Sequence, residues 1–129
     1  MILRLYSKAD VFTFPFHKSL IMASTGTITL SGKSGKTYQF LMYVLNTSFK
    51  AMGGLYLFTK AADNTNYLLY LGHTQDLSSR FTNHHKEECV DNHGGTHVSV
   101  CIIEDEKTRI AAEKDILANY NFTCNEVNN

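Results

Sequence analysis

A chain of 129 residues is long enough for one domain with its own core, and 43% hydrophobic and 19% charged residues exclude wholesale disorder. Twelve Lys/Arg balance twelve Asp/Glu, so net charge by itself does not point to nucleic acid. The apolar runs fall far short of a membrane span, so no membrane partner is expected.

Residues 1–21 differ from the remainder of the chain: they have no clear period and contain the single proline, Pro15. The apolar stretch 11–16 is shorter than a signal peptide needs. Met22-Ala23-Ser24-Thr25-Gly26 reads like a second possible start, so residues 1–21 are expected to be an accessory extension or a mis-called start. Segments 27–30 and 37–44 alternate well enough for two strands, joined by the turn Ser31-Gly32-Lys33-Ser34-Gly35-Lys36. That turn resembles a phosphate-binding loop, but the required glycines fall on Leu30 and Thr27, and no long helical pattern follows. Residues 22–52 are therefore expected to form a β-hairpin addition. Gly53-Gly54 then breaks the chain.

Segments 55–60 and 67–72 are rich in β-forming residues and flank Ala61-Ala62-Asp63-Asn64-Thr65-Asn66, which predicts a hairpin with a longer loop. Asp76 can cap a helix from Leu77 to about Cys89. Asp91-Asn92-His93-Gly94-Gly95 ends it. Val98, Val100, Ile102 and Ile103 make 97–103 a strand, and Asp105 or Glu104 starts a last helix to about Tyr120. The tail, 126–129, ends in polar residues and is expected to fray. The cysteines are Cys89, Cys101 and Cys124; an odd number without tight spacing argues against a disulfide framework and suits a reducing cytoplasm.

Charge is unevenly spread. Residues 1–60 carry seven Lys/Arg against Asp10 alone, and the rest carry five against eleven acidic residues. A basic surface facing a polyanion gives such a split, and so does chance in a short chain. On the last helix, Ile110, Ile116, Leu117 and Tyr120 define an apolar face, and Glu113 projects from its middle. A carboxylate there is costly unless it is ion-paired, metal-bound or at a wet rim. Leu77, Arg80, Phe81 and His84 share one side of the preceding helix. Arg80 suits two phosphate oxygens, and equally a solvated salt bridge. Tyr56 and Tyr70, one on each hairpin strand, read singly as packing residues.

Order and spacing join these residues. Gly54-Leu55-Tyr56 is followed by Tyr70-Leu71-Gly72 in the run YLGHTQDLSSRFTNHH, then by Glu113 and Asn125. This resembles the GIY-YIG nuclease family over residues 53–125, with Leu for Ile in both triplets. The resemblance implies an α/β (α+β) domain with a small three-stranded antiparallel sheet flanked by helices. It implies a DNA endonuclease dependent on Mg²⁺ or Mn²⁺. Tyr56 or Tyr70, aided by His84, would activate water; Arg80 would stabilise phosphate charge; Glu113 would bind the metal; Asn125 would hold the last segment in place. His84, titrating near neutrality, is the expected final proton acceptor. His73 stands where family members often carry Lys and would contact phosphate or relay a proton. The proline usual before the terminal Asn is missing, and Phe122-Thr123-Cys124 stands there, which leaves Asn121 as an alternative to Asn125. Lys33 and Lys36 are expected to contact DNA, and cutting both strands would need two events or a homodimer.

Two other readings stand beside this one. His84, His85, Cys89, His93 and His97, with Cys124, offer zinc-ligand types at helical spacings. The same domain can also serve as a catalytically silent nucleic-acid-binding or protein-interaction module.

Overall fold

The structure, a computed structural model, describes residues 24–81 and 84–126. The expectations for residues 1–21 and for residues 127–129 of the tail lie outside the described residues, while Glu126 ends the last helix. Five strands form: β1 (Gly26–Ser31), β2 (Thr37–Val44), β3 (Gly54–Ala62), β4 (Thr65–Thr74) and β5 (His97–Ile102). The helices are α1 (Glu87–Asn92) between β4 and β5, then α2 (Glu106–Leu117) and α3 (Thr123–Glu126).

The strands make one antiparallel sheet in the order β1-β2-β5-β3-β4. This corrects the expectation of a three-stranded sheet flanked by helices. β5 has two paired edges: Val100 lies opposite Leu41 of β2 and Tyr56 of β3. The N-terminal hairpin therefore continues the sheet instead of being appended to it. The physical reason is that β2 supplies hydrogen-bond partners to an edge of β5 that would otherwise be left open.

The helix expected from Leu77 to Cys89 is also corrected. Residues 77–81 form turns, and a helix begins only at Glu87. Asp76 Oδ1 accepts from Ser78 N (2.9 Å) and Ser78 Oγ (2.5 Å), a local bonding pattern that competes with helix propagation. Between β3 and β4 the expected long loop shrinks to Asp63-Asn64, both left-handed (φ 54° and 60°). Asp and Asn tolerate that region, so a tight hairpin forms without glycine.

Side chains alternate across the sheet into two cores. On the α2 side Leu30, Phe40, Leu55, Leu57 and Leu71 pack with Ala112, Ile116 and Phe122. On the other side Tyr56, Phe58, Tyr70, Val98 and Val100 pack with Leu77 and Val90. Asp105 caps α2 as expected, accepting from Thr108 N and Oγ1. The buried stripe of α2 is Arg109, Ala112 and Ile116, so Glu113 flanks it instead of projecting from its centre. Arg109 is tolerated there because its Nη1 donates to the carbonyls of Ile103 and Glu104 (both 3.1 Å).

Cys89 of α1 and Cys124 of α3 form a disulfide with Cα atoms 5.9 Å apart, against the expectation that the odd cysteine count argues against a disulfide framework. Cys101 is free. Among the described residues no helix is long and apolar enough to cross a membrane.

Candidate active site

The two signature tyrosines lie side by side, on the sheet face that α2 does not cover. Tyr56 is fully buried, and its ring centroid stands 5.9 Å from that of Tyr70. Gly72, opposite Tyr56 across the β3–β4 ladder, is what admits this ring. A Cβ there would fall 2.5 Å from both Cζ and Oη of Tyr56 and 2.8 Å from Cε2 of Tyr70. Phe58, Phe81 and His84 enclose the remaining sides of the ring at centroid distances of 5.2–5.8 Å.

Two side chains converge on the Tyr56 hydroxyl. Arg80 Nε donates to Tyr56 Oη at 2.9 Å, and His84 Nε2 lies 2.8 Å from the same oxygen. The backbone N–H of Lys86 donates to His84 Nδ1 at 3.0 Å. That bond makes Nδ1 an acceptor, so the proton of the neutral ring sits on Nε2 and is donated to Tyr56. With two donors on its oxygen, Tyr56 still has its own proton to donate, and Tyr70 is the phenol beside it.

Burial governs how these groups titrate. It pushes Tyr56 well above the usual phenol range, and the neighbouring Tyr70 hydroxyl adds to this against the opposing effect of Arg80. Burial also raises Tyr70, as does the charge of Glu113. His84 falls to about 3 because burial disfavours its cation and His85, Arg80 and Lys86 repel it. His84 is thus a neutral donor throughout the physiological range. The expectation that it titrates near neutrality and accepts the final proton is corrected.

The linkage has a definite sign. An unfolded imidazole takes up a proton near pH 6.5, whereas folded His84 does so only near 3. Its contribution to stability is complete above pH 6.5 and is lost as the pH falls from there toward 3. His84→Gln, which keeps a donor and removes the titration, is predicted to flatten this dependence. Between pH 7 and pH 5 the wild type should lose on the order of 1–2 kcal/mol more than the variant in urea unfolding. Equal losses would contradict the assignment.

Glu113 and His73 form a second group on the α2 side of the same edge strand. His73 Nδ1 lies 2.7 Å from Glu113 Oε1, with the imidazole more exposed (39%) than the carboxylate (16%). When Nδ1–H donates to Glu113, the Nε2 lone pair of His73 is left to the outside. The predicted residues are therefore split between two faces: Tyr56, Tyr70, Arg80 and His84 on one, His73 and Glu113 on the other. Tyr70 connects them, since its ring lies tilted beside that of Tyr56 and its hydroxyl feels the Glu113 charge.

Asn125 sits on the open edge of β4. Its Oδ1 accepts from Leu71 N (2.8 Å) and its Nδ2 donates to Leu71 O (2.9 Å), replacing the missing neighbour strand between Tyr70 and Gly72. Asn125→Ala is predicted to cost about 1–3 kcal/mol by leaving both groups unpaired. Asn125→Asp should cost more, because a carboxylate oxygen then faces the Leu71 carbonyl. Thermal unfolding of both variants checks the order; an Asp variant as stable as wild type contradicts it.

Lys33 and Lys36 are not brought to the tyrosines. Their turn is bound to α2, where Asp115 accepts from Ser34 N (2.9 Å), Ser34 Oγ (2.6 Å) and Tyr38 Oη (2.8 Å). Both lysines line a shallow hollow there with Lys114 and Thr108. Lys86, which sequence patterning passed over, is buried at the site instead. Its Nζ donates to Cys124 O (2.7 Å) and lies 5.7 Å from the Tyr70 ring centroid. Only the run His84-His85-Lys86 hinted at it, and a lysine in a polar run reads as solvent-facing. No family model, curated protein or solved structure matches this chain.

Proposed function

We propose that the chain is a divalent-metal-dependent endonuclease that hydrolyses DNA phosphodiester bonds, as its resemblance to the GIY-YIG nucleases implies. The observation that carries the reading is the Tyr56 hydroxyl held by Arg80 at 2.9 Å and by neutral His84 at 2.8 Å. Arg80 makes no other hydrogen bond among the described residues, so four of its five N–H donors remain for phosphate oxygens. A phosphate drawn to that fork is where negative charge grows as water attacks.

Glu113 fits Mg²⁺ or Mn²⁺. It is a partly shielded carboxylate with one oxygen on His73, and Mg²⁺ typically takes one or two carboxylates and completes its shell with waters and phosphate. Bound there, the ion would supply Lewis-acid polarisation of phosphate and acidify water. Tyr56 is protonated and His84 carries its proton on Nε2, so neither accepts a proton at neutral pH. We assign proton acceptance to His73, whose Nε2 is open while Glu113 orients the ring through Nδ1. Tyr70, donating toward the phosphate, and Arg80 then stabilise charge.

The test is single-turnover cleavage of an end-labelled duplex in Mg²⁺ or Mn²⁺. Glu113→Gln and His73→Ala are each expected to slow it by about 10²-fold or more, and EDTA to stop it. Cleavage unaffected by either substitution would defeat the assignment. A second reading, a silent nucleic-acid-binding module, draws on the His73–Glu113 pair, which already satisfies one carboxylate oxygen. It predicts DNA binding with no cleavage in any divalent metal. A cytoplasmic location belongs to the proposed reading and would keep Cys89 and Cys124 reduced.

A further inference from the structure

Cys89, His93 and Cys124 make no contact used at the Tyr56 hydroxyl, and their ligand atoms lie within 4.8 Å of one another. Cys89 belongs to α1 and His93 caps its C-terminal end, four residues on, so the helix turns both toward one side. Cys124 comes from α3 and is fully buried. Cys89 Sγ and His93 Nδ1 are 3.7 Å apart. Two ligands of a tetrahedral zinc ion, with Zn–S about 2.3 Å and Zn–N about 2.0 Å, lie roughly 3.6 Å apart. That pair is already at chelating separation.

The two sulfurs are bonded to each other in this structure, so a metal and the disulfide exclude one another. Opening the bond to the roughly 3.8 Å between two zinc thiolates moves the sulfurs by less than about 2 Å. Rotation about side-chain bonds covers that distance without shifting either helix. His93 is exposed, and its Nδ1 rests on the Cys89 carbonyl at 2.9 Å, so taking up a metal costs it one surface hydrogen bond.

We propose that the reduced chain binds one zinc ion through Cys89, His93 and Cys124, with its fourth position open, and that oxidation to the disulfide expels it. A dithiol reductant supplies two electrons and two protons to the Cys89–Cys124 bond and becomes a cyclic disulfide. The two thiols release two protons as the thiolates bind Zn²⁺. In reverse, a disulfide oxidant such as oxidised glutathione takes the electron pair and two protons from solvent and leaves as two glutathione thiols, the Sγ–Sγ bond reforms and Zn²⁺ leaves. Either form fastens α3 to α1. That matters because α3 carries Asn125, which pins β4 at Leu71, and because Lys86 bonds the Cys124 carbonyl. The inference does not depend on the chemistry at Tyr56.

The test uses the full chain in the Cys101→Ser background, so that only these two cysteines remain. Reduced protein is titrated with Co²⁺ and then with Zn²⁺ while thiolate-to-cobalt charge-transfer absorption is recorded. The expected result is one equivalent of cobalt, an intense thiolate band, displacement by zinc, and no band after oxidation. His93→Ala should weaken zinc by at least tenfold while its disulfide still forms, as counted by thiol titration, which shows that the variant folds. Absence of a thiolate band in the reduced protein overturns the proposal. So does a His93→Ala variant that binds zinc as tightly as its parent. Cobalt held at Glu113 alone gives no thiolate band and counts against it.

Discussion

Replacing Arg80 with alanine is expected to lower single-turnover phosphodiester cleavage by about 10²–10³-fold while leaving the fold intact. The magnitude is that of removing one preorganised donor from the place where charge develops, on the order of 3–4 kcal/mol of barrier. Arg80 is only partly buried, in a turn, and its one hydrogen-bond partner among the described residues is the Tyr56 hydroxyl. Its loss opens little cavity, and His84 still donates to Tyr56. Thermal unfolding should therefore move little. Arg80→Lys should recover only part of the rate, since a point charge cannot bond Tyr56 and still present a planar fork to phosphate. Full activity in Arg80→Ala would remove the central element of the mechanism.

Gly72→Ala is expected to be nearly as damaging by another route. The added methyl carbon would stand 2.5 Å from the Tyr56 hydroxyl carbon and oxygen, and the ring has no free side to move into. Overpacking of this kind costs about 1–3 kcal/mol, or roughly 3–10 °C in Tm for a chain of this size. The hydroxyl shifts off Arg80 and His84 together, so cleavage should fall by a factor like that for Arg80→Ala. Gly35→Ala is the control: its φ of 93° carries backbone strain, but a Cβ there meets nothing within 4 Å and the turn lies away from the tyrosines. It should lower Tm without lowering the cleavage rate below its folded fraction. A Gly72→Ala variant with wild-type Tm and rate would mean that the glycine serves no packing purpose.

The strands were legible because their signal is local. Alternation marked residues 37–44 with the bounds that β2 has, and β-branched residues marked β5. The Asp105 cap located the start of α2. Partner choice was not legible, because period-2 alternation says which face a strand buries but not which edge it meets. The helix after Asp76 was misread since Leu77, Arg80, Phe81 and His84 satisfy helical spacing, while Ser78 bonds back to Asp76 and holds a turn. Buried Arg109 and Lys86 escaped notice because each is offset by carbonyls that only the folded chain brings near. The Cys89–Cys124 pair, 35 residues apart, carries no spacing signature. Within the candidate site, order and spacing group Tyr56, Tyr70, Arg80 and His84, and the fold brings these side chains together. Protonation was not, because the state of His84 depends on the Lys86 amide and on burial.

The central claim is tested most directly by nicking of supercoiled plasmid by the full chain in Mg²⁺ or Mn²⁺, beside Arg80→Ala and Glu113→Ala. Divalent-dependent conversion to open circles that EDTA stops, and that both substitutions reduce by about 10²-fold or more, is the predicted result. A wild-type chain that binds DNA yet never nicks it, or nicking that survives both substitutions, would contradict it.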